Sequence, residues 1–479
     1  MGSPSVPDER GAPCHPPRPS PVIAMRRRTE IRETLALATP IAFSQVALMA
    51  MGLVDAALVG RISDGELAAV SIGNSLAFSL MCPAMGVTMA VEPMASQAVG
   101  AGDLNRAWAA LRSSIVACLL LALPTLAVIA LSTFVLEPVG VDPQVVPGAR
   151  AFIFARLPGI PMWLLFMSAK AYLEARGITR PLLWGGWIAN VLNFVVASVL
   201  VFGDAALLKV GLPAVGLPKL GSLGAGLGTS FSSAVIAFVA LRAAWRARPE
   251  GETWFGGGRE ELNATVRKLL RIGVPIGFQI LTEAGVFGLV TLLTGRLGKL
   301  SSASHQIALG LASFSFMGVL GISAATAVRV GRAIGAQDDT GPRRAGLVGF
   351  GLVAVYMAGT ALVFVLFPRP LANIFTDDPE VIDLAAKLIR IAAIFQLADG
   401  IQGVAGGALR GAADTRFASV MNLCCHWGVG LPLALLFGFA LGHGALGLWW
   451  GLSAGLFVVA VALSLRFWRI SSKRIEAVV

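Results

Sequence analysis

Apolar residues fill long stretches of this 479-residue chain, separated by short polar connections that hold most of its lysines and arginines. Runs of about 20 or more apolar residues can cross a bilayer as helices. Six lie near residues 36–60, 67–99, 106–136, 146–175, 181–203 and 221–245, and six more near 265–295, 302–334, 345–367, 381–409, 417–441 and 444–468. The pattern predicts an all-α polytopic membrane protein with twelve transmembrane helices. Composition agrees: 56% of residues are hydrophobic, 14% are charged and the mean hydropathy is +0.76, far from the soluble globular range.

The longest polar connection, 247–264, falls between the sixth and seventh runs and divides the chain into an N-terminal bundle (31–246) and a C-terminal bundle (265–470). It includes a triple glycine at 256–258 that reads as a flexible linker, since no strand precedes it. Residues 1–30 are expected to be a disordered cytoplasmic tail. The first 24 are rich in proline, lack the apolar centre of a secretory signal, and lead to Met25, an alternative start followed by three arginines. Residues 471–479 form a second cytoplasmic tail. With both termini inside, most of the 38 Lys and Arg residues fall on the cytoplasmic face, as the positive-inside rule requires.

The two bundles repeat one another. Shifting the chain by about 235 residues sets Pro40 on Pro275, Gly60 and Arg61 on Gly295 and Arg296, Gly100 on Gly335, and Asp103 on Asp338. Copies with an even number of spans share one orientation and relate by an axis along the membrane normal. Such a pair predicts a central cleft and rocking between inward and outward states, with Pro40 and Pro275 as bending points.

The net charge of +11 is explained by cytoplasmic loops, which excludes nucleic acid as a partner. The five cysteines, Cys14, Cys82, Cys118, Cys424 and Cys425, are scattered without ligand spacing, so neither a disulfide framework nor a zinc site is expected. His305, His426 and His443 form no cluster of metal spacing and read as loop or packing residues.

Acids inside the spans carry the candidate chemistry. An ionised, unpaired acid in a bilayer costs several kcal/mol, so it faces a cavity and pairs, binds a cation or takes up a proton. Three qualify: Asp55 in the first span, Glu283 in the seventh and Asp399 in the tenth. No basic residue lies within five positions of any of them along the chain, which disfavours structural ion pairing. Asn190 and Asn193, at i and i+3 in the fifth span, can share a face with Asp55; interhelical hydrogen bonding is their other reading. Gln45, Gln279 and Gln306 are further cleft-lining candidates. Glu92, Lys170, Glu174, Arg329 and Arg410 sit near cytoplasmic helix ends and read as structural or gating residues.

Taken together, "VDAALVG" in the first span, "EPMASQAVGAGD" after the second, "GVPIGFQILTEAG" in the seventh, "AATAVRVGRAIGAQD" after the eighth and "ADGIQGVAGGALRG" in the tenth resemble the multidrug and toxic compound extrusion (MATE) family over residues 30–470. The resemblance implies two six-helix bundles in a V and export of organic cations or amphipathic drugs in exchange for protons or sodium. A monomer with no cofactor is expected, and the absence of a targeting signal and of long outer domains fits a bacterial inner membrane. Asp55 matches the first-bundle acid. Glu283 and Asp399 match the second-bundle acids of the NorM-like branch, which the DinF-like branch typically lacks. Two departures bear on the coupling ion. Ala197 stands where some relatives carry a second acid, and Phe395, a cleft-lining position, replaces a tyrosine found in some sodium-coupled relatives. Two oxygen donors are thereby lost, which favours protons, while Glu283 and Asp399 remain a candidate sodium site. The alternatives are a lipid-linked oligosaccharide flippase of related fold, for which Arg or Lys is expected in the cleft, and a membrane enzyme modifying lipids, for which no interfacial His, Asp or Cys cluster is found.

Overall fold

The computed structural model describes residues 21–478 except 210, 212, 255 and 257. Residues 1–20 of the expected tail lie outside that range. From Pro21 onward the tail is helical and opens α1 (Pro21–Val59), a correction to the boundary at residue 30. Its Arg, Glu, Leu and Ala content favours helix on both sides of the membrane boundary.

In the first half α1 leads to α2 (Asp64–Met89) and α3 (Val91–Gly100), which form one span with a break at Ala90. Next come α4 (Leu104–Ser132), then α5 (Val146–Arg156) and α6 (Gly159–Arg176), which meet at a 50° bend. The half ends with α7 (Arg180–Phe202), the short α8 (Asp204–Lys209) and α9 (Gly221–Arg246). Ser63 and Asp103 cap α2 and α4, accepting hydrogen bonds from the backbone N–H of Glu66 and Arg106. The long loop after α8 is tied down by Asp204, which accepts from the N–H groups of Val215, Gly216 and Leu217 at 2.9–3.1 Å. The N–H of Val215 leads these donors in holding that exposed carboxyl below the usual carboxylate range.

The second half contains α10 (Arg259–Arg296), α11 (Lys299–Gly335), α12 (Gly341–Leu366), the short α13 (Pro368–Asn373) and α14 (Pro379–Gly411). Its last two spans are α15 (Thr415–Cys425) with α16 (Leu431–Leu435), extended by π turns at His426–Gly430 and Leu436–Ala440, and α17 (Gly444–Ile470). Among the described residues ten helices are long and apolar enough to cross a membrane, and α5 with α6 makes an eleventh if the bent pair is one span. The twelfth position in the repeat belongs to α14, 33 residues long, whose hydropathy is lowered by Gln396, Asp399 and Gln402. Those three polar side chains are buried among neighbouring helices rather than turned to lipid.

The repeat seen in the sequence is a repeat of contacts. Gly86 of α2 packs against the backbone of Gly273 and Gly277 in α10, and its mate Gly321 of α11 packs against Ala38 and Ala42 in α1, the mates of those two glycines. Likewise Gly100 lies on Arg332 while Gly335 lies on Gln97. Only a residue without a side chain allows these backbones so close. A Cβ at Gly335 would overlap the carbonyl of Gln97. Gly335→Ala is therefore expected to lower stability by about 1–3 kcal/mol, the cost of overpacking, read as a lower melting temperature of the purified protein. An unchanged melting curve would contradict this contact.

All four glycine contacts lie toward the end of the molecule where α1 begins and α17 ends. The polar contacts joining the bundles gather there too. Arg410 of α14 pairs with Glu92 of α3 (2.8 Å), and Arg329 of α11 pairs with Glu30 (2.8 Å) and Glu33 (3.2 Å) of α1. Arg332 donates to the Ala175 carbonyl, and Gln97 to that of Gly411. Lys170 and Glu174 pair within α6 beside this seam. The gating or structural reading thus has a geometry for Glu92, Arg329 and Arg410, which fasten one bundle to the other at one end.

The connection between bundles is shorter and firmer than a flexible 247–264 linker. Helix α10 starts at Arg259, with Glu260 and Glu261 in its first turn where the helix dipole favours acids. Before it, Trp254 stacks on Trp245 (centroids 5.3 Å apart), Glu252 pairs with Arg112 (2.9 Å), and Trp108 donates to the Thr253 carbonyl. An aromatic cluster at the start of α4 and the end of α9 holds the segment down.

Candidate functional site

Asp55 sits four residues before the end of α1, in the half of the first bundle away from the seam. The residue is 4% exposed, and each carboxylate oxygen accepts one hydrogen bond. One oxygen accepts from the Asn193 amide of α7 at 2.8 Å, the other from the Thr229 hydroxyl of α9 at 2.6 Å. The Ser232 hydroxyl donates to the Asn193 carbonyl oxygen at 3.1 Å and fixes the amide's orientation. Three helices thus converge on one acid.

Thr229 has a second acceptor, the Ala225 carbonyl at 3.0 Å, but a hydroxyl carries one proton. With Asp55 ionised, Thr229 donates to it. With Asp55 protonated, the acid donates to the Thr229 oxygen and the hydroxyl turns to Ala225. The cluster accepts or releases a proton without moving a heavy atom. Charge-assisted hydrogen bonds of this kind are worth about 1.5–3 kcal/mol each, which offsets part of the cost of a buried carboxylate.

Sequence reasoning offered Asn190 together with Asn193, and the structure separates them. Asn190 donates to the backbone carbonyls of Ala47 and Gly186, fastening α7 to α1, and does not touch Asp55. Ala197 is fully buried against Gly228, so a methyl group occupies the place of the second acid.

In the second bundle Glu283 of α10 and Asp399 of α14 lie within electrostatic reach of one another. The polar groups around them are Gln402, which interacts with Glu283, Asn422, which accepts from Gln402 at 3.2 Å, and His426. The His426 Nδ1 donates to the Asn422 carbonyl, and its other nitrogen is buried without a partner. A packing histidine was expected there. Instead it stands in the field of Glu283, on a π turn, a distortion often found at functional sites. Gln396 was also missed: its carbonyl oxygen accepts from Ser315 at 2.5 Å.

Three further expectations resolve. Phe395 is buried in the core of the second bundle against Phe287 and Trp449, so it does not line the cleft, because the residue before Gln396 on α14 turns inward. Gln279 faces α14 near Gly406, Gln45 is half-buried, and Gln306 is exposed on α11. Pro40 and Pro275 lie inside unbroken helices. Among the described residues no group of three or more His, Cys, Asp or Glu side chains could hold a metal ion.

The first bundle also contains a basic residue that chain distance concealed. Arg156 ends α5 at the bend and lies within electrostatic reach of Asp55, from a different span. It hydrogen-bonds the Asn74 side chain of α2 and lies 5.9 Å from the Phe152 ring centroid. It is not in ion-pair contact with Asp55, whose oxygens are taken by Asn193 and Thr229.

Two like bundles of transmembrane helices, fastened at one end and carrying acids in the interior of each, are an architecture suited to a membrane transporter. The chain belongs to the MatE family, whose model matches residues 40–199 and again residues 275–436, one match per bundle. It is 36% identical to the probable multidrug resistance protein NorM of Pseudomonas putida, over 92% of this chain and 95% of that protein. It is 32% identical to the multidrug resistance protein PmpM of Pseudomonas aeruginosa, over 98% and 95%. Among solved structures it is similar to the eukaryotic MATE transporter AtDTX14, with TM-score 0.82, 20% identity and coverage of 94% of this chain and 100% of that one. The Vibrio cholerae MATE transporter VcmN in its bent form gives 0.77 at 20% identity, over 93% and 98%.

Proposed function

We propose that this protein is a secondary active multidrug exporter of a bacterial inner membrane, both termini cytoplasmic, exchanging organic cations and amphipathic drugs for protons. The observation that carries the reading is the Asp55 cluster, a buried acid whose partners fit its charged and its neutral form equally well. The relatives named for multidrug resistance support the export of drugs.

With the termini inside, the fastened end is cytoplasmic and the conformation is outward-facing. In the inward state ionised acids attract a lipophilic cation. After rocking, protons from outside neutralise the acids and the cation leaves. A ligand drives such a switch only through different affinity for the two states, and the protonation of Asp55 supplies that difference. Protons rather than sodium fit because Ala197 and Phe395 offer no oxygen donor where a sodium ion would need one.

Efflux of a fluorescent lipophilic cation from proteoliposomes, under a proton gradient and a sodium gradient imposed separately, tests the proposal. Drive by protons alone is expected. Drive by sodium alone overturns the coupling ion, and no efflux under either gradient overturns the exporter in favour of a flippase. In the same assay Glu283→Gln and Asp399→Asn should each weaken cation affinity about tenfold, the loss of one charged partner. Normal affinity in both would remove the second bundle from the cation path.

A further inference from the structure

Helix α9 carries a stripe that changes character along its length. Phe231, Phe238, Arg242 and Arg246 follow one another at helical spacing on one face, and all are exposed. Phe238 is 66% exposed and Trp184, on neighbouring α7, is 64% exposed. Apolar rings so open on transmembrane helices face lipid. Arg246 is the last residue of the helix, Arg242 lies one turn before it, and Phe238 lies about 12 Å in from the end. The stripe therefore runs from the headgroup level into the acyl chains, at the seam end of the molecule. There the Ala247 carbonyl accepts from Arg176 and Tyr172 of α6 at 2.8 and 3.3 Å, which fixes the end of α9 beside the turn into α7.

A groove of about 470 Å³ opens beside the stripe. Ile178 and Pro181, where α6 turns into α7, line one side, and Phe238, Val239, Arg242 and Arg246 line the other. Ala243 and Ala247, small residues one turn apart, leave space that larger side chains would fill. The guanidinium groups of Arg242 and Arg246 make no hydrogen bond or ion pair among the described residues, and no acid lines the groove. The helix dipole and the positive-inside rule account for basic residues at this end of a span. They do not account for two arginines one turn apart on one groove wall without a carboxylate, since like charges at that spacing repel. A phosphodiester seated between them removes the repulsion and accepts from both planar forks. Helix α7 starts at the same groove with no side chain capping its N-terminus, which adds to the positive potential.

We propose that this groove binds an anionic phospholipid of the surrounding leaflet, its phosphate between Arg242 and Arg246 and an acyl chain along Phe238 and Val239. The ligand is a lipid rather than a soluble phosphate because the lining beyond the arginines is apolar and continues the lipid-facing surface. The site is independent of the coupling ion and of the substrate exported.

Native mass spectrometry of the purified full-length protein, titrated in detergent with dioleoyl phosphatidylglycerol, counts the lipid retained. Wild type should hold it about tenfold more tightly than phosphatidylcholine, whose ammonium cancels the charge and meets no acid in the groove. Arg242→Gln combined with Arg246→Gln should weaken phosphatidylglycerol binding about tenfold and remove the preference. Both side chains are exposed, so the lipid-free melting curve should not move. Arg267→Gln combined with Arg271→Gln removes the same charge at the same spacing from an exposed face of α10 outside the groove, and should leave binding within twofold. Ala243→Trp fills the groove while keeping both arginines, and should weaken binding as the arginine pair does; it decides the matter if the double variant does not fold. Inorganic phosphate in excess should not displace the lipid. Equal loss from the two arginine pairs overturns the site in favour of general surface attraction, as does unchanged binding in Ala243→Trp. Absence of any preference in wild type overturns it too, and displacement by inorganic phosphate overturns the lipid as ligand.

Discussion

Asp55→Asn abolishes gradient-driven export, with efflux at least 100-fold below wild type, while the protein still inserts and melts close to the wild-type temperature. The two halves of this expectation follow from the same geometry. Asparagine is isosteric with aspartate, and its carbonyl oxygen can accept from the Asn193 amide at the 2.8 Å position. Its amide can donate to the Thr229 oxygen, turning that hydroxyl to the Ala225 carbonyl 3.0 Å away. Every buried polar group keeps a partner, so the fold tolerates the change. What is lost is the charge and its exchange for a proton, the property on which the two loads of the cycle depend. The variant resembles the protonated acid permanently, so it neither attracts a cation from the inward state nor responds to external pH. Proteoliposome efflux together with a thermal melt checks both parts. Wild-type export by a well-folded Asp55→Asn protein would show that the acid is structural and that coupling resides in Glu283 and Asp399.

Much of this arrangement is legible in the sequence because the physics behind it is local or periodic. Hydrophobic runs long enough for a bilayer locate the spans, and one constant offset locates the pseudo-twofold axis. That offset even identifies the glycines that touch, since Gly86 with Gly273 and Gly277 mirrors Gly321 with Ala38 and Ala42. Acids in apolar runs stand out because a bilayer makes them costly. What stayed hidden depends on which spans become neighbours. Arg156 is 101 positions from Asp55 along the chain and comes within electrostatic reach of it only because α5 packs against α2 and α9. Asn190 and Asn193 look equivalent at i and i+3, yet one turns to a backbone carbonyl and the other to the acid. Phe395 was placed by analogy with a tyrosine, and the orientation of α14 sends it into the core instead. His426 looked like packing because chain spacing says nothing about Glu283 on another span.

Arg410→Gln should open the fastened end of the molecule. Glu92 is buried and its partner Arg410 comes from the other bundle, 2.8 Å away, so the pair exists only when the two bundles are closed at that end. Removing the arginine leaves a carboxylate sealed from water beside the acidic Glu174, an arrangement that costs about 3–5 kcal/mol. Opening the seam rehydrates Glu92 and relieves that cost, which shifts the equilibrium between conformers by more than about a hundredfold. Ser96 reports on the seam directly, being buried against Gly331 of the opposite bundle. In a cysteine-free background, Ser96→Cys should be protected from a thiol reagent with Arg410 present and labelled with Arg410→Gln. Glu92→Gln added to Arg410→Gln should restore protection, because two neutral groups leave no uncompensated charge, and that recovery separates loss of the pair from general misfolding. Equal protection in the parent and in Arg410→Gln would mean that the glycine contacts hold the seam closed unaided and that the ion pair is a consequence of closure rather than a cause of it.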